Sequence, residues 1–281
     1  MKIGVSSYSF NQYVRKTGAD LFKVCELARE LGFDGIEFTD LPGEWAEQME
    51  MAKALKEKCA QLELPIISYT IGADFLKGEE MVEKIKGQVD VAAELGVKVM
   101  RHDACYSMGE KKFGRTWRDV VAEIAPYIRK VTEYAAAKGI RTCTENHGYI
   151  IQDSERVETL IRTVDHENYG WLIDVGNFAC ADEDSVAAVS RAVPYAVHVH
   201  AKDFLMKSAK EDDPGMGWFK SRSGNYLRGT VVGHGAIPVK QCLKMIKDSG
   251  YDGYISLEFE GAEENMFALE AGLATLRRIC G

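Results

Sequence analysis

The sequence predicts an α/β chain closed into one (β/α)8 barrel, and three observations carry that expectation. Eight short apolar runs alternate strictly with eight longer amphipathic stretches, as in a parallel sheet with helical crossovers. Gly32, Gly96, Gly139 and Gly250 each close an amphipathic stretch and lead into an apolar run, where the residue after a helix needs a positive φ. The chain has 281 residues, a length that suits one barrel, since such domains run to about 250 residues. A doubly wound open sheet shares the alternation; the count of eight and the length favour closure.

The predicted strands are Ile3–Ser7, Gly35–Phe38, Ile66–Ile71, Val97–His102, Ile140–Glu145, Gly170–Asp174, Ala196–His200 and Gly253–Glu258. Most are rich in β-branched or aromatic residues and short, as buried parallel strands are. Helical patterns fill the gaps: Asp20–Leu31, Trp45–Leu62, Glu79–Leu95, Trp117–Lys138, Asp153–Val164, Asp182–Ala192, Val239–Ser249 and Glu263–Ile279. The phrases ARELGFDGIEF, AAELGVKVMRH, AAAKGIRTCTEN and IKDSGYDGYISLEF repeat one helix–turn–strand idea. One segment, about 204–236, breaks the rhythm and is rich in Gly, Lys, Ser and aromatics. A loop this long inside a compact domain is read as a partly ordered cover over a substrate. Residues 1–281 therefore form a single domain carrying one long loop.

Composition excludes some classes. Apolar residues make up 46% and charged residues 28%, ordinary for a globular chain with a substantial core. The formal charge is −8, and no Lys/Arg cluster exceeds Lys111-Lys112, which speaks against a nucleic-acid partner. Seven scattered cysteines without a CxxC pair read as mostly reduced thiols filling small apolar spaces. The chain starts directly on a strand-like run, without a signal-peptide pattern or an 18-residue apolar run; a cytoplasmic protein with no membrane partner is the expectation.

In such a barrel the active site lies where strands end and βα-loops begin. Strand five ends in Glu145-Asn146-His147, strand six in Asp174-Val175-Gly176-Asn177, strand seven in His198-Val199-His200-Ala201-Lys202-Asp203, and strand eight in Glu258-Phe259-Glu260. Three carboxylates crowded at one mouth repel one another, and a divalent cation removes that problem. The oxygen-rich set with one imidazole suits Mn²⁺ first, and also Mg²⁺, Co²⁺ or Zn²⁺. His198 and His200 share a face, as do Glu258 and Glu260, because side chains alternate with period two. His200 lies nearer the carboxyl end and His198 a layer deeper; Glu258 closes the apolar run and is taken as the ligand. Lys202 and His147 are read as donors to substrate oxygens, with an ion pair to Asp203 as the plainer role for Lys202. His102, in Arg101-His102-Asp103 at the end of strand four, is read as pointing to the same mouth.

The segments GFDGIEF, TENHG, WLIDVGN, VHVHAKD and GYDGYISLEFEG, in this order and spacing, resemble the xylose-isomerase-like sugar-phosphate isomerase/epimerase family along essentially the whole chain. The resemblance implies one divalent metal held by Glu145, Asp174, His200 and Glu258, with Glu145 and Glu258 also the acid/base pair. It implies an isomerase or epimerase of a small sugar, keto-sugar or sugar phosphate. A metal chelating the carbonyl and hydroxyl stabilises the enediolate formed when a weakly acidic proton is removed. Two carboxylates on opposite faces then take and return the proton. Homo-oligomers, dimers or tetramers, are expected by the same analogy. The chain departs from the family where many members carry His in place of Asn177, and Gly-Glu-Gly in place of Gly233-His234-Gly235. Both positions concern substrate contacts, among which Asn177 is counted.

Two other activities fit the same ligands. An enediolate also expels a β-leaving group, so a lyase or dehydratase acting on a keto-inositol or 3-keto-glycoside is the alternative. An endonuclease IV-like DNA repair nuclease shares the four ligands, but it needs further histidines that Asn177 and Tyr69-Thr70 do not supply. A metal-free barrel acting only as a binding subunit would not need all four.

Overall fold

The structure is a computed structural model describing residues 1–281. Its elements in chain order are β1 (Lys2–Ser6), α1 (Asn11–Thr17), α2 (Leu21–Leu31), β2 (Gly35–Thr39), α3 (Trp45–Gln61), β3 (Ile66–Ile71) and α4 (Glu79–Leu95). There follow β4 (Val99–His102), α5 (Trp117–Ala137), β5 (Arg141–Glu145), α6 (Ser154–Val164), β6 (Tyr169–Asp174), α7 (Ser185–Ala192) and β7 (Ala196–Ala201). The chain ends with β8 (Asp203–Lys207), β9 (Phe219–Lys220), β10 (Tyr226–Thr230), α8 (Val239–Asp248), β11 (Tyr254–Leu257) and α9 (Asn265–Cys280). Eight strands close into a parallel barrel in the order β1-β11-β7-β6-β5-β4-β3-β2. The predicted (β/α)8 barrel is what the chain forms.

Local chemistry accounts for the element ends. Asp20, Asp153 and Asp184 cap α2, α6 and α7 by accepting from the third backbone N–H of each helix. The glycines at 32, 96, 139 and 250 take φ of 88°, 81°, 68° and 92°, a region closed to most side chains. Helix α1 lacked an apolar stripe to announce it, and none of its residues is buried. No helix is long and apolar enough to cross a membrane. All seven cysteines are free and buried.

The long segment after β7 is more ordered than a loop. β8, β10 and β9 form a separate three-stranded antiparallel sheet in the order β8-β10-β9. Its strands escaped prediction because they are short and carry Lys and Arg in LMK, FK and YLRGT. Asp203 fastens the root of this sheet. Its Oδ1 accepts from Phe204 and Ile237 backbone N–H at 2.9 and 3.0 Å, and its Oδ2 from Gly233 and Gly235 at 2.8 and 2.9 Å. A Cβ on Gly235 would overlap Asp203 Oδ1, which is why that turn needs glycine. Asp203→Asn turns an acceptor into a donor facing two N–H groups. The expected cost is about 3 kcal/mol, from two lost charge-assisted bonds, read as a lower urea midpoint. An unchanged midpoint would show the turn to be held otherwise.

Candidate active site

The carboxyl ends of β5, β6, β7 and β11 deliver Glu145, Asp174, His200 and Glu258 to one point. One donor atom from each lies within 4.8 Å of the others, and all four residues are buried. Parallel register explains the convergence. Asp174 pairs with His200 across β6 and β7, and His200 with Ser256 across β7 and β11, two residues before Glu258. The strands stagger around the barrel, so residues at different distances along each strand meet at one level.

Two atoms of this ring are orphaned: His200 Nδ1 and Asp174 Oδ2 are buried with no hydrogen-bond partner. Buried polar atoms are nearly always satisfied, and a cation placed here would take electron pairs from a ring nitrogen and a carboxylate together. His200 Nδ1 lies 3.7 Å from Glu145 Oε1 and 3.5 Å from Glu258 Oε2. This donor set, three carboxylates and one imidazole, fits a divalent cation.

Three members are held from behind. Glu37 of β2 sits beneath the ring, fully buried, with Oε1 at 2.9 Å from His200 Nε2 and Oε2 at 2.9 Å from His198 Nε2. Burial opposes the Glu37 charge, but the two imidazoles outweigh it and hold the carboxyl far below its usual range. Glu145 is gripped on both oxygens, by Arg101 Nη2 at 2.6 Å and by Asn177 Nδ2, which donates at 2.9 Å. Asp174 Oδ1 accepts from Gly176 and Asn177 backbone N–H. Asn146 locks the end of β6, accepting from Asp174 N and Trp171 Nε1 and donating to Asp174 O.

Lys202 reaches into the ring, its Nζ 2.7 Å from Glu258 Oε2 and 3.4 Å from Asp174 Oδ2. It does not pair with Asp203, whose oxygens serve the turn described above. Burial, assisted by Glu145 and Glu258 against the pull of Lys202, pushes the Asp174 carboxyl up to about 7. Burial acts the same way on Glu258, but Lys202 and His200 overcome it and keep that carboxyl well below the ordinary range.

A cavity of about 330 Å³ opens above the ring, lined among others by Arg101, Asp103, Glu145, His147, Lys202 and Glu258. His147 stands at its wall with Nδ1 at 2.9 Å from Asp103 Oδ1. Asp103 is itself fixed by Arg101 Nη2 and the Tyr106 hydroxyl, each at 2.5 Å. Burial disfavours the imidazolium, yet Asp103 raises the His147 pKa above its ordinary value.

His102 requires correction. It is turned away from the mouth, fully buried, edge-on to Phe75 and stacked on Tyr169 at ring separations of 5.1 and 5.8 Å. Burial lowers its pKa to about 4. Arg101 takes the inward position of β4, and period-two alternation sends the next side chain outward. Glu37, Arg101, Asp103 and Tyr106 were missed by the sequence reading. The available signal was a charge inside an apolar strand, Glu37 in GFDGIEF and Arg101 in VMRH, since a buried charge demands a partner.

A family model described as xylose isomerase-like TIM barrel matches residues 25–279. The chain belongs to this family. Among xylose isomerase-like relatives, the inosose dehydratase of Lactiplantibacillus plantarum is 28% identical over 205 residues, covering 69% of this chain and 66% of that enzyme. The matched segment thus spans just under two thirds of that relative's length. Two solved structures share the fold. One, the IOLI protein with a bound zinc atom, has a TM-score of 0.77 at 17% identity, covering 99% of this chain and 98% of the other. The other, 3-keto-D-glucoside 4-epimerase of E. coli, has a TM-score of 0.72 at 16% identity and covers 99% of both chains.

Proposed function

We propose that this chain is a divalent-metal-dependent lyase of a cyclic polyhydroxy ketone, a keto-inositol or keto-glycoside, removing the proton next to the carbonyl and expelling the β-oxygen substituent. The observation that carries this reading is the ring of Glu145, Asp174, His200 and Glu258 with two orphaned buried donor atoms. The dehydratase relative supports elimination over isomerisation. Those four residues are the proposed ligands, for Mn²⁺ first and for Mg²⁺, Co²⁺ or Zn²⁺ as alternatives. When bound, the cation supplies the positive charge that makes the carbon acid deprotonatable.

The residues divide the remaining work. Glu258 lines the cavity and is contacted by Lys202 and His200 only through Oε2, so it is the base that takes the α-proton. The C–H electrons become the new C=C bond, and the β C–O bond breaks. His147, oriented by Asp103, gives its proton to the departing oxygen, which leaves as water when the substituent is hydroxyl. Lys202, on the cavity wall, steadies a substrate oxygen, and Asn177 steadies Glu145.

A second reading keeps the same first step. Glu145 on the ring beside Glu258 is the paired carboxylate that an epimerase or isomerase of a sugar or sugar phosphate needs. Incubating Mn²⁺-loaded protein with keto-inositols and 3-keto-glucosides in D₂O, followed by NMR, separates the two. Elimination gives an unsaturated ketone; deuterium at the α-carbon with no loss of the β-substituent sinks the lyase reading and leaves the epimerase.

Glu37 fixes the ring orientation of the His200 imidazole, so Glu37→Gln is expected to weaken Mn²⁺ binding by about 10–100-fold in a chelator competition. Unchanged affinity would mean that the strand alone positions His200.

A further inference from the structure

The cavity over the ring has a neighbour. A second lobe of about 340 Å³ shares Tyr106, His147, Lys202 and Glu260 with the first, and its outer walls are Tyr149 and Phe219. Each lobe alone lies at the low end of the about 300–1,000 Å³ range of small-molecule sites. The first lobe alone holds Arg101, Asp103, Glu145 and Glu258, while the second alone holds the rings of Tyr149 and Phe219; Tyr106 lies between them. Such a division suits a ligand with two parts.

The second lobe is built at a cost. Tyr149 holds φ at 66°, a left-handed conformation that bulky residues avoid. Contacts from both sides enforce it. Its N–H donates to Gln152 Oε1 at 2.6 Å, its carbonyl accepts from Arg222 Nη2 at 2.5 Å, and its hydroxyl donates to Lys220 O at 3.0 Å. Glycine would meet the backbone requirement without strain, so what the position retains is the ring.

The opposite wall comes from the inserted sheet. Phe219 of β9 lies edge-on to Phe204 with ring centroids 5.7 Å apart. The turn after it is fastened to the barrel. Ser221 Oγ and Asn225 Nδ2 donate to Asp182 Oδ1, Ser223 N–H to Asp182 Oδ2, and Arg222 pairs with Asp153 at 2.7 Å. A cover needed only to exclude water would not require so many fixed points around two aromatic faces.

We propose that this aromatic-walled lobe is a second subsite, seating a sugar or aryl ring joined to the reacting ketone ring. The substrate class is then a two-ring glycoside rather than a single free ring. This inference rests on the reading above for the reacting ring, and the experiment below separates the two.

Mn²⁺-loaded protein is titrated by calorimetry with methyl β-D-glucoside and with phenyl β-D-glucoside, unreactive probes that differ in the second ring. Phenyl glucoside is expected to bind at least about tenfold more tightly, the scale of one buried aromatic contact. Tyr149→Gly, which relieves the backbone strain, and Phe219→Ala are each expected to erase that preference. Circular dichroism should show Tyr149→Gly folded at the titration temperature, so lost binding is not lost folding. Equal affinities, no binding of either probe, or a loss in the variants that falls equally on both probes would overturn the second subsite. Mn²⁺ binding is measured in parallel; its absence defeats the proposed lyase however the glycosides behave.

Discussion

Glu258→Gln is expected to lower kcat by about 10³-fold, the middle of the range for a positioned acid or base, while the barrel stays folded. Glutamine keeps the size of the side chain and one acceptor oxygen, so the register of β11 on β7 is not disturbed. What it loses is the charge that draws the α-proton, and one anionic ligand of the ring. Metal affinity should fall as well, so turnover is measured at saturating Mn²⁺ to separate the two losses. Glu145→Gln makes a useful contrast. Glu145 is held on both oxygens by Arg101 and Asn177, and its loss leaves Arg101 buried with Asp103 as its remaining close carboxylate. That variant is expected to lose metal first and stability with it. Full activity in both variants would remove the acid/base roles assigned to them.

Lys202→Met should split metal-free stability from metal-bound stability. The ammonium is buried beside Glu258 and Asp174, and removing one partner from such a cluster leaves uncompensated charge, at about 3–5 kcal/mol. Urea unfolding in the presence of a chelator should show that loss. With saturating Mn²⁺ the deficit should shrink, because a cation on the ring compensates the same carboxylates. Mn²⁺ affinity is expected to rise by about tenfold once the ammonium no longer competes. If Lys202→Met destabilises equally with and without metal, the lysine stem matters only for packing.

The four ring residues were legible because each stands at the end of an apolar run, and a barrel brings all strand ends to one face. The helix ends were legible for an equally local reason, an Asp before the first turn or a Gly after the last. His102 was misread because the inward parity of β4 depends on its register against β3 and β5, which no local pattern states. Asn177 and Lys202 could be named as neighbours of ligands, but not their partners: one donates to Glu145, the other lies against Glu258. Glu37 is 163 positions from His200 in the chain, yet the two touch.

By itself, the order of residues determined the barrel and the four groups at its mouth, because hydrophobic period, helix caps and strand ends are properties of short stretches. Tertiary structure decided which groups orient those four, which way His102 faces, and that β9 walls a second lobe beside the first. Those outcomes depend on closure and stagger of the sheet and on contacts between segments remote in sequence, so the physical interactions responsible exist only once the chain has folded.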